Sequence, residues 1–199
     1  MFLDEESKEL VKMYIQRAHS NSQHLLELIN SLLEIAKLRA GKETFTMVEC
    51  DAVELAKGVY HSVLALNTNP DVDFDFEFPH EHLMIRCDVL KMRQVLLNLV
   101  SNALKFTPKG SVVLRIYTID EMCRIEVEDT GVGIPQNKIE KIFEPFEQVS
   151  HTDKGTGLGL GIVHEYVKGM KMRLVVSSKE GLGSIFVVNA PLVAITTQS

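Results

Sequence analysis

The sequence predicts an α+β fold: a two-layer sandwich in which helices cover a mixed, mostly antiparallel sheet, preceded by one long N-terminal helix. Three observations predict it. Residues 5–39 read as one long helix with a seven-residue repeat that is apolar from Val11 to Ala36 except at Ser22. After Gly41 the pattern changes to short strand-like runs alternating with helical ones. Two pairs of strand-like runs, 111–119 with 122–128 and 172–178 with 184–190, have hairpin spacing and so favour antiparallel neighbours.

Each element has its own reason. In the first helix Val11, Ala18, Leu25 and Leu32 recur every seven residues, as do Ile15, Ser22, Ile29 and Ala36. That is the seam of a coiled coil or helical bundle. Past Leu25 the apolar face widens to take in Leu26, Leu28, Leu33, Ile35 and Leu38. A face that wide needs more than one neighbour, and the sequence offers no second helix adjacent to it. Gly41 suits a C-terminal cap. "ETFTMVEC" reads as a strand, and Asp51 with Glu54 as a capping box opening a helix to about Leu66. "DVDFDFEF" alternates strictly, which sets Val72, Phe74, Phe76 and Phe78 on one face of a half-buried strand. "LMIRC" is a short strand leading to Asp88, the cap of a helix over 89–106. Further helices are expected from about Pro135 and from Gly159 to Lys168, and "AITTQS" as a frayed tail. Three units follow: residues 1–44, 45–193 and 194–199.

Composition narrows the function. Of 199 residues 45% are apolar and 24% charged, the balance of a folded protein and not of a disordered one. The net charge of -6 speaks against a nucleic-acid partner, which needs a basic face. Cys50, Cys87 and Cys123 form no CxxC pair and read as reduced thiols. No run is long enough to cross a bilayer, and "FLDEESKEL" after Met1 is unlike a signal peptide. The chain is expected to be cytoplasmic and free of membrane contact, whether or not its parent is membrane-bound.

Three stretches carry chemistry. In "DVLKMRQVLLNLVSNALKF", Asn98, Asn102 and Lys105 share one helix face, extended by Gln94 and Lys91. Met92, Leu96, Leu99 and Ala103 line the other side. Solvated amides are the bland explanation, but asparagine is a poor helix former. An amide oxygen can ligate magnesium, and a lysine one turn on can meet a phosphate. In "VEDTGVGIP", Asp129 stands at a strand end before Gly131 and Gly133. Its carboxylate can accept from an amine such as that of adenine, although a plain turn has the same composition. In "GTGLGLGI" four glycines fall in eight residues. The stretch lacks the GK[ST] ending of a P-loop, and no βαβ unit surrounds it as the dinucleotide fingerprint requires.

Asparagine stripe, Asp-x-Gly-x-Gly, "IFEPFEQV" and "GTGLGLGI" occur in that order. Together they resemble the ATP-binding catalytic domain of sensor histidine kinases, in the wider GHKL superfamily of gyrase, mismatch-repair ATPases and the heat-shock chaperone. The resemblance covers roughly residues 45–192. "ELINSLLEIAKLRAGK" resembles the second helix of the dimerisation and phosphotransfer hairpin. The resemblance implies ATP and magnesium as cofactors, and Asn98, Asn102 and Lys105 as the catalytic group. Asn102 would hold the metal, Lys105 would meet phosphate and Asp129 would read the adenine amine. Gly131 and Gly133 would make room for the base, with Ile134 beside them. Phe143 and Phe146 would anchor a lid over 147–154, from which Lys154 or His151 reaches a phosphate. Gly155, Thr156, Gly157, Leu158, Gly159 and Leu160 would present backbone to the triphosphate. The implied partners are a response regulator, an acceptor-histidine helix, and a second copy met through the N-terminal helix.

Position 98 separates the branches of the superfamily. ATPases and serine-kinase anti-sigma factors place a glutamate there, whereas Asn98 cannot take a proton. ATP is then held for another nucleophile, as in histidine kinases. The family's acceptor pattern, His-Glu-x-x-Thr/Asn-Pro, does not occur. His80-Glu81 runs into "HLMI", His164-Glu165 runs into "YVKG", and His19 and His24 have no acidic neighbour. The phosphoacceptor is therefore expected outside this chain, which reads as a fragment beginning after the first hairpin helix or as half of a split kinase. Gly161 in place of serine or alanine and "GMKM" in place of a glycine pair depart from the family pattern, and a lid without arginine together with the absent acceptor leaves a nucleotide-binding regulatory module or pseudokinase as the alternative.

Overall fold

The computed structural model describes residues 5–65, 69–78, 82–147 and 157–193. Helix α1 (Glu5–Arg39) comes first. It ends where Gly41, at φ +64°, turns the chain so that its N–H meets Leu38 O and that of Lys42 meets Lys37 O, both at 3.0 Å. Strand β1 (Val48–Asp51) then leads into α2 (Ala52–Leu64), β2 (Val72–Glu77) and β3 (Met84–Cys87). Helix α3 (Val89–Phe106), β4 (Gly110–Ile119) and β5 (Met122–Asp129) follow. Helix α4 (Gly159–Gly169), β6 (Arg173–Lys179) and β7 (Gly183–Pro191) complete the described order.

The main sheet runs β2-β4-β5-β7-β6, with β2 parallel to β4 and every other pair antiparallel. Strands β1 and β3 form a separate antiparallel pair. Helices α2, α3 and α4 pack on one face of the main sheet. Met92, Leu96 and Leu99 of α3, with Leu114 and Ile116 of β4 and Ile125 of β5, are among the largest side chains with no exposed surface to speak of. The other face is polar: Arg115 bonds Glu77, Glu126 and Glu128, and Tyr117 donates to Glu126 at 2.7 Å.

Four expectations need correction. The helix from Pro135 is instead two short 3₁₀ turns, Gln136–Lys138 and Lys141–Phe143, neither with a capping side chain. Between Pro135 and Pro145 there is room for only one buried anchor, Ile142. The strand expected over "ETFTMVEC" begins only at Val48, because Phe45 and Met47 pack into the core and the Thr46 N–H is taken by Asp88. Asp51 does cap α2, but through the Val53 N–H at 2.9 Å, and Glu54 turns to Lys57 instead of closing a capping box. The widened end of α1 does have a helical neighbour in this chain, namely α4, which is distant in sequence and adjacent in space. Ile35 is buried there, Leu28 and Leu38 partly so, Tyr166 bonds Glu34, and Arg39 lies 3.6 Å from Glu165. Leu66, the His80-Glu81 pair and residues 194–199 lie outside the described residues.

Asp88 joins the layers. One carboxylate oxygen accepts from the Lys91 N–H at 3.2 Å and caps α3; the other accepts from the Thr46 N–H at 2.9 Å and ties down the chain before β1. Burial alone would raise this carboxyl, but those N–H groups and the Lys91 ammonium outweigh it, and it titrates below its ordinary value. Its contribution is therefore present above the ordinary pKa of 3.8 and is lost as pH falls through the depressed folded value. Asp88→Ala should cost about 2 kcal/mol in denaturant unfolding at neutral pH, and Asp88→Asn clearly less. Unchanged stability in Asp88→Ala would show that the cap is unimportant.

Candidate functional site

Helix α3 sorts its residues by period. Met92, Val95, Leu96, Leu99, Val100 and Ala103 face the core. Asn98, Asn102 and Lys105, spaced by four and three, are left half-buried on the other side. The first residue of α4 arrives at that stripe: a Cβ at Gly159 would lie 3.4 Å from Asn98 Oδ1 and 3.9 Å from Asn102 Nδ2. The α4 N-terminus has no capping side chain at Leu158. Asn98 Nδ2 is buried with no hydrogen-bond partner among the described residues. A buried, unpaired amide next to a helix start without a capping side chain is what a polar ligand would satisfy. Lys105 lies at the far end of the stripe, its ammonium 4.9 Å from the Phe106 ring centroid. Lys91 does not extend the stripe. It is held by Glu43 at 2.9 Å and by Thr44 O at 3.1 Å, over the rings of Phe45 and Tyr166.

Asp129 closes β5 at the same end of α3 and is only 7% exposed. Burial pushes its carboxyl above the ordinary carboxylate range, with Glu128 adding to the rise. The N–H groups of Gly131 and Ser184 and the Ser184 hydroxyl pull it partly back. Gly131 sits against the end of α3, where a Cβ would strike Phe106 O and come within 2.8 Å of Thr107 Oγ1. Gly133, at φ +66°, is equally closed in, with Lys179 O where its Cβ would be. A bare backbone here lets the turn after Asp129 lie flat against both α3 and the β6–β7 hairpin.

Ser178 and Ser184 escaped the sequence reading. Ser178 Oγ donates to Gly183 O at 2.8 Å, lies 2.9 Å from Ser184 Oγ, and accepts from the Ile134 N–H at 2.8 Å. The two serines thus pin the Asp129 turn to the hairpin. Nothing in "SSKEGLGS" signals this, because the contact depends on β5 pairing with β7. The Thr107 hydroxyl, buried and without a partner among the described residues, was missed for the same reason.

The lid expectation is only partly within view. Phe143 is half-buried, its ring 5.3 Å from that of His164, whereas Phe146 is 58% exposed. The Phe146 N–H donates to Gly157 O at 3.0 Å, so the chain leaves and re-enters the described part at one point. Leu158 is buried, and Leu160 packs partly against the core. His151, Lys154, Gly155 and Thr156 lie outside the described residues.

The chain that carries these features is similar to known proteins. A family model for histidine kinase-, DNA gyrase B- and HSP90-like ATPases matches residues 87–194. The chain belongs to this family. It is 35% identical over 204 residues to hybrid signal transduction histidine kinase A of Dictyostelium discoideum, covering 94% of this chain and 9% of that protein. It is 32% identical over 202 residues to the circadian input-output histidine kinase CikA of Synechococcus elongatus, covering 92% and 25%. Among solved structures, full-length ShkA in complex with AMPPNP has a TM-score of 0.82 at 29% identity, covering 98% of this chain and 40% of that one. Histidine kinase ThkA in complex with the response regulator TrrA has a TM-score of 0.74 at 25% identity, covering 96% and 53%. Within the family this is the ATP-binding catalytic part of a histidine kinase, and its fold is the GHKL sandwich the motifs implied. The chain spans 9% to 31% of the length of the curated relatives it matches.

Gly131→Ala should destabilise the protein by about 2 kcal/mol or more, since its Cβ meets backbone on one side and a hydroxyl on the other. Gly58→Ala, inside α2 with its nearest atom the flexible end of Arg93 at 3.6 Å, should stabilise it by up to about 1 kcal/mol. Thermal unfolding of the two variants tests this; a neutral Gly131→Ala would disprove the close approach.

Proposed function

We propose that the chain positions MgATP for transfer of its γ-phosphoryl group to a histidine imidazole carried on another segment or another chain, in two-component signalling. The observation that supports this best is the meeting of Asn98, Asn102 and the Gly159 helix start, with Asp129 buried at the same end of α3. The donor set fits magnesium held jointly with phosphates: neutral amide oxygens and no competing carboxylate in the stripe. Asn102, supported by Asn98, would hold the ion. When bound, magnesium neutralises charge on the phosphates.

The chain's own residues do the rest. Asp129 accepts from the adenine amine, and Gly131, Gly133 and Ile134 form the wall against the base. Lys105 offers its ammonium to a phosphate. The backbone from Gly155 to Leu160 approaches the triphosphate, with Thr156 and Leu158 in the same stretch, and Lys154 reaches in from the lid; Phe143 anchors its base. Asn98 has no proton-accepting atom to activate water, so ATP persists until a nucleophile arrives. Neutral imidazole is that nucleophile, with a response regulator as the next acceptor. Residues 1–44 would be the second hairpin helix and 45–193 the catalytic unit. The seam of α1 leaves Val11, Ile15, Ala18, Leu25, Ile29 and Leu32 exposed, which supports pairing with a second copy or with the acceptor helix. A cytoplasmic location accords with this role, and among the described residues no helix is long and apolar enough to cross a membrane.

Two outcomes test this. Asp129→Asn should weaken ATP and ADP alike by roughly tenfold to a hundredfold in calorimetry, with Asn102→Ala weakening binding only when magnesium is present. Unchanged ATP affinity in Asp129→Asn would refute the adenine assignment. Incubated alone with γ-labelled ATP, the chain should carry no acid-labile, base-stable phosphate; adding a polypeptide with a His-Glu acceptor helix should produce it on that polypeptide. Robust phosphohistidine on the chain itself would place the acceptor here after all.

A further inference from the structure

The Cys50 and Cys87 thiols face each other across the β1–β3 pair, with their sulfurs 3.1 Å apart. The strands are antiparallel, with Cys50 opposite Ile85 and Cys87 opposite Val48, so the two side chains are diagonal neighbours on one face. Each cysteine immediately precedes a capping aspartate: Cys50 precedes Asp51 of α2, and Cys87 precedes Asp88 of α3. Nothing in nucleotide binding uses these sulfurs. We propose that Cys50 and Cys87 are a reversible oxidation site, a dithiol that closes to an intramolecular disulfide when it meets hydrogen peroxide.

The two thiols are not equivalent. Cys50 is half-buried and Cys87 has no exposed surface, so an oxidant reaches Cys50 first. The hydrogen bond from Cys87 lowers the Cys50 thiol against the opposing effects of burial and Asp51, while the same bond and burial raise Cys87. The third cysteine, Cys123, is fully buried, and burial pushes it up to about 12. Cys50 is thus the attacking sulfur and Cys87 the resolving one. The Cys50 thiolate attacks one peroxide oxygen and the O–O bond breaks. Hydroxide leaves, takes up a proton, and Cys50 is left as the sulfenic acid. Cys87 sulfur then attacks Cys50 sulfur, the S–O bond breaks, and a second water departs with the Cys87 proton. Two thiols and one peroxide give one disulfide and two waters; the sulfurs lose two electrons and the peroxide oxygens gain them. The sulfurs need close by only about 1 Å to reach bonding distance.

The test uses the whole 199-residue chain. It is titrated with hydrogen peroxide under native conditions, quenched with an alkylating reagent and mapped by peptide mass spectrometry. Free thiols should fall from three to one, with a Cys50–Cys87 linked peptide, no dimer on a non-reducing gel, and full recovery with dithiothreitol. Cys123→Ser should leave that link unchanged, and Cys50→Ser should leave Cys87 alkylatable after denaturation. The mapping of the unsubstituted chain decides by itself, so a variant that fails to fold does not blunt the test. Cys50 proceeding to sulfinic acid with Cys87 still free, a link to Cys123, or a disulfide between two chains would each overturn the proposal.

Discussion

Everything at the site hangs on how α3 is seated. Its inner side is locked into the sheet by six buried side chains, and its first turn is fixed by Asp88. With both rotation and start fixed, the helical period leaves no freedom about where Asn98, Asn102 and Lys105 point. A helix that slid by one residue would turn the stripe by about 100° and bring amides into the core. The apolar face and the polar face are therefore one constraint seen from two sides. The same Asp88 carboxylate holds the Thr46 N–H, so the chain before β1 and the start of α3 move together.

The glycine turn after Asp129 is positioned from two directions. The end of α3 approaches Gly131, and the β6–β7 hairpin approaches Gly133. Ser178 and Ser184 complete the second approach with hydroxyl bonds to the Ile134 N–H and to each other. A buried carboxyl is costly unless its surroundings supply donors. Here Gly131 and Ser184 supply them, and the residual rise in its pKa comes from burial that remains uncompensated.

Much of this was legible in the sequence because it is periodic or local. The α3 stripe follows from spacing alone, the β2 alternation from Val72 to Phe76 sets its buried face, and Asp51 and Asp88 stand where caps belong. What was not legible depends on elements far apart in sequence. The docking of Ile35 on α4, the seat of Phe45 beside Gly169, and the Ser178–Ile134 bond all require the sheet order before they can be stated. The stretch after Pro135 misled because it combines helix-forming lysines, glutamates and isoleucines with a single fully buried side chain, Ile142, and a half-buried Phe143 beside it.

Helix α1 meets the rest of the molecule through its last turns, where Ile35 lies against Gly161 and the chain beyond passes Phe45 over Gly169. Both glycines belong to α4, the helix whose first residue reaches Asn98. With a serine or alanine at 161 an added carbon would stand 3.5 Å from the Ile35 Cδ1 and 3.2 Å from Phe143 O, and the seat would have to open slightly. The arm is a lever: 35 residues of helix extend about 50 Å. A tilt of about 5° at this short fulcrum carries the far end of the arm through roughly 4 Å, about the rise of three helical residues. A shift of α4 too small to break a single hydrogen bond would thus emerge at the other end of α1 as a displacement large enough to change which side chains a neighbouring helix meets.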